Sequence, residues 1–293
     1  MNIYDINTET GKFSVCDSAR SMLGLAAYSV GGRLSSDGEG RLFAVLREYL
    51  ARANSVPTDA FFAFATASLR GLSNTHKVLA SIKRRLGVDV DVISGDEEAE
   101  LDFFATVKRF GADIAKKGIT VDMGGGSTEI VGFEDGRKTC GHSFRIGCLA
   151  LSKRFVGNPL SVTEGELADI KNYVFSELSS HPEFENIGGT AYLIGGTARA
   201  VAKIFMGVRS GPSSLDGFEM TADDLFSVRD TVLSDGGAAI KKYSPDRTAT
   251  VAPGACALCE VIRYCGVERL VISGAGVREG FVAKMIEERK NAK

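Results

Sequence analysis

The distribution of apolar and polar positions along the 293-residue chain predicts alternating strands and helices. Its clearest strand pattern is a pair of β-branched apolar runs, residues 118–123 and 128–133, separated by a short glycine-rich stretch. The turn signal Glu134-Asp135-Gly136 follows the second run. We therefore predict a β-hairpin here, rather than the strand–loop–helix of a dinucleotide or Walker site.

The rest of the pattern predicts two α/β lobes that meet near residue 118. Helical spacing covers 37–50, 74–86, 163–178 and 245–265, with a cap at Ser36 or Asp37 for the first. Strand patterns at 61–70, 88–93, 192–194 and 269–272 each run into a polar or glycine-bearing loop, and 207–217 is predicted to be flexible. The N-terminal lobe takes residues 1–117, with 279–293 packing back on it, and the C-terminal lobe takes 118–278. We expect mixed sheets, with the glycine loops converging on a central cleft between the lobes.

The glycine-rich stretch has the composition of a phosphate-binding loop. It consists of Gly124, Gly125, Gly126, Ser127 and Thr128. The glycines let backbone N–H groups converge on an anion, and the two hydroxyls add donors. Asp122 and Glu129 flank it, and carboxylates beside a phosphate require a divalent cation or a water between the like charges. A glycine-rich hairpin with solvated acids is the alternative, which the motif alone does not exclude.

Two further segments suit an anionic ligand. Arg70 follows a predicted strand, where an open α/β sheet presents ligands, and its guanidinium can bind a phosphate. Taken alone, pairing with a surface acid is the favoured interpretation of this arginine. The loop Gly195-Gly196-Thr197 joins a strand to a helix, and it is either an anion-binding turn or a packing turn.

Glu97 and Glu98 open a predicted helix. Acids in a first turn interact favourably with the helix dipole, which is their simplest explanation. They also follow a strand and so face the predicted crevice, where a glutamate with a raised pKa can act as a general base.

Composition excludes several classes of protein. The formal net charge is −2, so no overall basic field recruits nucleic acid or an anionic membrane. The N-terminus shows no signal peptide and no apolar stretch is long enough to span a membrane, so the cytoplasm is the default location. The six cysteines do not form a dense disulfide framework. Cys256 and Cys259 have the spacing of a redox or zinc pair, but we predict buried free thiols.

The motifs together resemble those of the exopolyphosphatase / guanosine pentaphosphate phosphohydrolase (Ppx/GppA) family, within the actin-like ATPase (ribonuclease H-like) fold. The similar segments, in order, are 65–70 with Asn74, 92–99, 122–129, 195–199, 244–247 and 273–280. They cover nearly the whole chain. No single segment is specific, whereas the set is.

The resemblance implies Mg²⁺-assisted hydrolysis of a terminal phosphoanhydride in polyphosphate or a pppGpp-like nucleotide, by direct water attack. It places the catalytic carboxylate at Glu98 and the metal and phosphate carboxylates at Asp122 and Glu129. The phosphate loop corresponds to residues 124–128, and a phosphate-facing arginine to Arg70. A homodimer is also implied.

The N-terminus departs from the family pattern of strand, Asp-Gly-Ser-Asn loop and strand. Residues 1–6 match the second strand better, so the first strand and its phosphate loop are expected to be missing. Either the recorded start lies too late or the protein has lost half of its phosphate clamp. A degenerate loop without glycine at residues 5–8 is a further interpretation. A missing strand should leave an unpaired edge in the N-terminal sheet.

Three hypotheses remain at this stage. The first is a Mg²⁺-dependent phosphoanhydride hydrolase. The second is a protein of the same fold that binds polyphosphate or a nucleotide with little or no turnover. The third, a kinase-like member of the actin superfamily, is weaker because no adenine pocket can be argued from these residues.

Overall fold

The computed structural model describes residues 1–21, 23–208 and 215–291, which fall into two compact units. Unit 1 comprises residues 1–94 and 285–293, and unit 2 comprises residues 95–284. Unit 1 therefore ends before the boundary near residue 118 that the sequence pattern predicts. Residues 209–214 of the predicted flexible loop lie outside the described residues.

Unit 1 is built from short strands and helices. The antiparallel pairs are β1 (Asn2–Ile6) with β2 (Phe13–Ser18) and β3 (Ser29–Val30) with β4 (Arg33–Leu34), and the parallel pair is β5 (Phe64–Ala65) with β6 (Asp91–Val92). The helices are α1 (Ser36–Ala53), α2 (Ala67–Arg70) and α3 (Thr75–Leu86). Helices α1 and α3 pack against each other, and their apolar faces meet at Phe43, Val78 and Ile82.

Two sequence predictions for unit 1 need correction. The segments expected to form strands at 61–70 and 88–93 contribute only two residues each, β5 and β6. In the first segment, Phe61 and Phe62 are about half exposed and α2 already begins at Ala67. The cap of α1 is Ser35, whose side chain accepts a hydrogen bond from the Gly38 amide at 3.2 Å. Asp37 lies in the first turn instead, where its charge favours the dipole.

Unit 2 contains, within the described residues, a six-stranded mixed sheet. Its strands are β7 (Lys117–Met123), β8 (Thr128–Glu134), β9 (Arg137–Phe144), β10 (Thr190–Ile194), β11 (Glu219–Thr221) and β12 (Arg269–Ile272). The strand order is β11-β12-β10-β7-β8-β9. Strands β7, β10 and β12 are parallel, whereas β8, β9 and β11 run antiparallel to their neighbours. The predicted hairpin is confirmed as β7 and β8.

Helices cover both faces of this sheet. They are α4 (Gly95–Phe110), α5 (Cys148–Phe155), α6 (Glu164–Ser179), α7 (Gly195–Met206), α8 (Ala222–Ser234), α9 (Ala238–Tyr243) and α10 (Val251–Tyr264). Helix α11 (Val277–Asn291) begins in unit 2, and its last residues belong to unit 1. Helix α4 packs on β7, β8 and β9, where Phe103 contacts Phe133 and Phe110 contacts Tyr192. The opposite face carries α7, with α10 packed among α5, α6, α7 and α8. Because α4 covers strands of the sheet, it belongs to unit 2.

The buried core includes the thiols of α10. Cys256 and Cys259 are fully buried and free, as predicted, and burial raises the pKa of each to about 12. Among the described residues, no helix combines the length and apolarity needed to cross a membrane.

Candidate active site

Asp122 and Glu129 face each other across the hairpin of β7 and β8. The two residues are partners in the strand register, so their side chains project to the same face of the sheet. Glu129 lies two pleats before Phe133, which packs on α4, and period-two alternation therefore points Glu129 to the α4 face as well. Glu129 is only 2% exposed, and Ser143 of β9 donates its hydroxyl to Oε1 at 2.5 Å.

The loop between these strands is held by α5 behind it. Within the loop, the Gly124 backbone N–H donates a hydrogen bond to the Ser127 carbonyl at 3.0 Å. The carbonyls of Gly124 and Gly125 accept 3.0 Å hydrogen bonds from the first amides of α5. The amides of Gly125 and Gly126 donate to no other group in the part of the chain that the structure describes. Backbone donors of this kind suit an anion.

The two loop hydroxyls are used inside the protein. Thr128 is fully buried and donates to the Ile146 carbonyl at 3.1 Å, while Ser127 is buried and hydrogen-bonds Glu129. The backbone amides are therefore the donors that the loop offers to a ligand.

The two glutamates in the first turn of α4 differ in burial. Glu97 is exposed, whereas Glu98 is buried and its charge raises the pKa of both Asp122 and Glu129. The structure thus brings together three carboxylates that the sequence predicted. A fourth, Asp102, lies one helical turn after Glu98 and is 1% exposed. We refer to Glu98, Asp102, Asp122 and Glu129 as the acidic cluster.

Burial and the repulsion from neighbouring acids raise the pKa of Asp102, Asp122 and Glu129. Burial is the main cause that raises the pKa of Glu129 to about 8, with Glu98 adding to it and the Ser143 hydroxyl opposing it. Burial likewise raises the pKa of Asp122 to about 6, and Glu98 again adds to it, while Arg199 and Arg278 oppose it. A cation beside the cluster would remove this repulsion.

The pKa of Asp102, the fourth member of the acidic cluster, is shifted in the same direction. Burial raises the pKa of Asp102 well above its ordinary value, and the charges of Asp122, Glu129 and Glu98 raise it further. Only the Val277 backbone amide works in the opposite direction. All four carboxylates therefore share one electrostatic environment.

The loop at Gly195 packs against the cluster from the neighbouring strand. Ile194 at the end of β10 pairs with Asp122, and Gly195 has φ +88°. A Cβ at Gly195 would collide with Asp122 Oδ1, and one at Gly196 would collide with the Arg247 guanidinium. Glycine at position 195 is favoured by its positive φ and by the close approach of Asp122, and a side chain at position 196 would displace the Arg247 guanidinium.

The remaining predicted residues are placed as follows. Thr197 is 1% exposed, and its methyl group packs against Gly254, so its side chain lies in the interior of unit 2. Arg70 belongs to unit 1, where it is half-buried and its Nη1 donates to the Ile93 carbonyl at 3.0 Å.

The sequence model of the Ppx/GppA phosphatase family matches residues 7–289. The chain belongs to this family. A structure of an exopolyphosphatase from Cytophaga hutchinsonii is 20% identical with a TM-score of 0.87, over 98% of this chain and 94% of that one. The Aquifex aeolicus PPX-GPPA enzyme is 25% identical with a TM-score of 0.78, over 97% and 94%. An exopolyphosphatase-like protein is 23% identical with a TM-score of 0.79, over 87% and 84%.

Membership in the Ppx/GppA phosphatase family confirms the resemblance inferred from the motifs and makes the chain a phosphatase-type protein. The α/β class with mixed sheets is confirmed by the strand topology, and the fold is that of the solved Ppx/GppA and exopolyphosphatase structures.

Several residues at the site had not been singled out from the sequence. They are Asp102, Arg199, Arg247 and Arg278. Asp102 carried a usable signal, because a position four residues after Glu98 shares its helix face. The arginines stand within the family segments, but only folding brings them beside Asp122 and Gly196.

Proposed function

We propose that this Ppx/GppA family member hydrolyses the terminal phosphoanhydride of polyphosphate or of a pppGpp-like nucleotide, with Mg²⁺ as its cofactor. One observation carries the proposal: buried Glu98 and Glu129 and half-buried Asp122 lie together beside a loop whose Gly125 and Gly126 amides are available. Phosphoryl transfer depends mainly on positioning and charge neutralisation, which such a site provides.

The residues present fit Mg²⁺. Their donors are hard carboxylate oxygens, and their mutual repulsion favours a cation. Within the described ranges, no three His, Cys, Asp or Glu side chains converge closely enough to hold a metal ion by themselves. This agrees with the ordinary coordination of Mg²⁺, which uses one or two carboxylates and completes its octahedron with water and substrate phosphate. Asp122 and Glu129 are the ligands that we assign.

The roles of the protein groups follow from their positions. The Gly125 and Gly126 amides bind the oxygens of the terminal phosphate, with α5 fixing the loop behind them. Glu98 orients a water molecule for in-line attack and accepts its proton. Bound Mg²⁺ neutralises negative charge on the phosphate oxygens. Arg199 and Arg278, near Asp122, add positive charge at the same place.

Phosphate release from polyphosphate and from pppGpp, each with Mg²⁺ or with EDTA, tests the proposal. We expect release only with Mg²⁺. Glu98→Gln should lower the rate by about 100-fold or more, because a general base contributes about 10²–10⁴-fold. Glu97→Gln is the matched control: it removes the same charge from the exposed neighbouring position and should leave the rate unchanged.

Two results would contradict the proposal. Binding of either substrate without any phosphate release would favour a binding protein of the same fold. Release that is insensitive to Glu98→Gln would remove Glu98 from the reaction. A thermal unfolding curve for each variant shows whether a lost rate reflects a lost fold.

A further inference from the structure

Asp102 is a buried carboxylate that makes no hydrogen bond of ordinary geometry within the described ranges, although the Val277 backbone amide lies near it. It is 1% exposed, and neither Oδ1 nor Oδ2 has a hydrogen-bond partner among the residues that the structure describes. A buried polar group in this condition costs free energy, and a charged one costs considerably more. Glu129, equally buried, differs because Ser143 and Ser127 donate to it.

The surroundings of Asp102 contain acids and bare backbone. It lies on the face of α4 that carries Glu98, and it is close enough to Asp122 and Glu129 for their charges to act on it. On its other side is Gly276, where an added Cβ would lie 3.4 Å from Oδ1. Within the described residues, no side-chain donor therefore reaches Asp102 itself.

The same position would accept an apolar residue without this cost. Its neighbours Leu101 and Ala105 on α4 are buried, and Ile194 packs on Gly276 beside it. Replacing a buried unpaired carboxylate by an apolar side chain is commonly stabilising. A carboxylate here therefore favours a partner other than the residues that the structure describes, and a cation or its bound water is the partner that four acids select.

We propose that Asp102 is a fourth carboxylate of the cation site and accepts hydrogen bonds from water molecules on the divalent cation assigned to Asp122 and Glu129. The proposal rests on the proposed function for the identity of that cation. Contact through water agrees with the absence, in the described residues, of three side chains placed to ligate a metal directly. Mg²⁺ usually retains several of its waters, and groups that orient the ligands around a metal change its affinity by about 10–100-fold.

Direct measurement of cation binding without substrate tests the role of Asp102. Mn²⁺ is the probe, titrated into the full chain while the electron paramagnetic resonance signal of free Mn²⁺ is followed. We expect Asp102→Asn to weaken Mn²⁺ binding by about tenfold or more. Glu100→Gln is the matched control, because Glu100 lies on the same helix but is exposed and pairs with Lys138 at 3.3 Å. It should bind Mn²⁺ as the unchanged protein does.

A second readout separates cation binding from folding. In EDTA, at a pH where the cluster ionises, Asp102→Asn should unfold at a higher temperature than the unchanged protein, since one carboxylate is removed from the mutual repulsion. On adding Mn²⁺, the unchanged protein should gain more thermal stability than the variant does. If Asp102→Asn does not fold, Asp102→Ala carries the same two expectations.

Equal Mn²⁺ affinity in the unchanged protein and the Asp102 variant would overturn the inference, and so would the absence of Mn²⁺ binding in the unchanged protein. These outcomes are independent of the phosphate-release assay. Phosphate release with no effect of Asp102→Asn on Mn²⁺ rejects the role of Asp102 alone. Mn²⁺ binding through Asp102 without phosphate release rejects the hydrolase alone.

Discussion

Glu129 links the stability of the protein to pH when no cation is present. Its pKa is raised from 4.5 to about 8, so between these values the folded protein retains a proton that the unfolded chain releases. The stabilising contribution is complete below the unfolded pKa and is lost as the pH rises through the folded one. Stability should therefore fall with rising pH across this window.

The pH effect can be measured in EDTA by urea unfolding at about pH 6 and about pH 8.5. Because one pKa unit corresponds to about 1.4 kcal/mol, the unfolding free energy should drop by at least about 1 kcal/mol more in the unchanged protein than in Glu129→Gln. Glu97→Gln, at an exposed position of the same unit, should keep the full drop. Identical slopes for the unchanged protein and Glu129→Gln would contradict the raised pKa.

Single residues also show where sequence reasoning was sufficient. The sequence offered a dipole role and a catalytic role for Glu97 and Glu98, and burial now separates them, since only Glu98 reaches the acidic cluster. The Gly195 turn was recognised by its composition, but its close packing on Asp122 and Arg247 depends on contacts distant in the chain. Local patterns contain no information about such contacts.

At the scale of elements, the position of the phosphate loop depends on Gly147 at the start of α5. A Cβ there would collide with the backbone of Gly126 and Ser127. Gly147 has φ −70° and ψ 144°, which any residue adopts, so the need for glycine is steric rather than conformational. The loop and the helix therefore fit together only without a side chain at this position.

Gly147→Ala should accordingly displace the loop and weaken phosphate binding. We expect KM for polyphosphate to rise by about tenfold or more, since a small displacement at a positioning element is costly. Gly165→Ala, in the open first turn of α6, meets no neighbouring atom and should leave KM unchanged while favouring its helix. An unaltered KM in Gly147→Ala, with the fold intact, would argue against the loop as the phosphate site.

The elements differ in how well the sequence predicts them. The helix predicted at 163–178 is confirmed as α6, because its start is set by a capping box of Thr163 with Glu166, which depends on four consecutive residues. The hairpin is confirmed because its two strands pair with each other. The strand expected over residues 61–70 is wrong in length, because its partner β6 is itself only two residues long. Pairing partners, rather than local hydrophobicity, determine how far a strand extends.

At the scale of the whole chain, the two units differ in how much structure supports each strand. Strands of unit 1 occur in pairs within the described residues, while those of unit 2 share one six-stranded sheet covered on both faces. Two-stranded sheets are marginally stable by themselves. Local unfolding should therefore be easier in unit 1.

Hydrogen exchange followed by mass spectrometry tests this difference. Peptides from β7, β10 and β12 should exchange slowest, and those from β1, β2 and β5 should exchange faster by about 100-fold or more. Comparable protection in both units would contradict the expectation. Peptides from α1 and α3 serve as an internal reference, since Phe43 and Val78 give that part of unit 1 a buried core.

The division of the chain shows the limit of prediction at this scale. The sequence places a boundary near residue 118, where the most obvious change of pattern occurs. In the structure α4 belongs with the sheet, because Phe103 and Phe110 pack on Phe133 and Tyr192. The acids of its first turn indicated the helix, but they did not specify which sheet its apolar face would cover.

The six cysteines differ in exposure, which allows one of them to be labelled selectively. Cys148, Cys256, Cys259 and Cys265 are buried, and burial raises the pKa of the last three to about 12, so a maleimide dye should not reach them in the native state. Cys16 is exposed, and Cys140 is half-buried with a pKa raised by burial. A fluorophore can thus be attached selectively at Cys16, giving a reporter on unit 1 while the acidic cluster of unit 2 is left chemically unmodified.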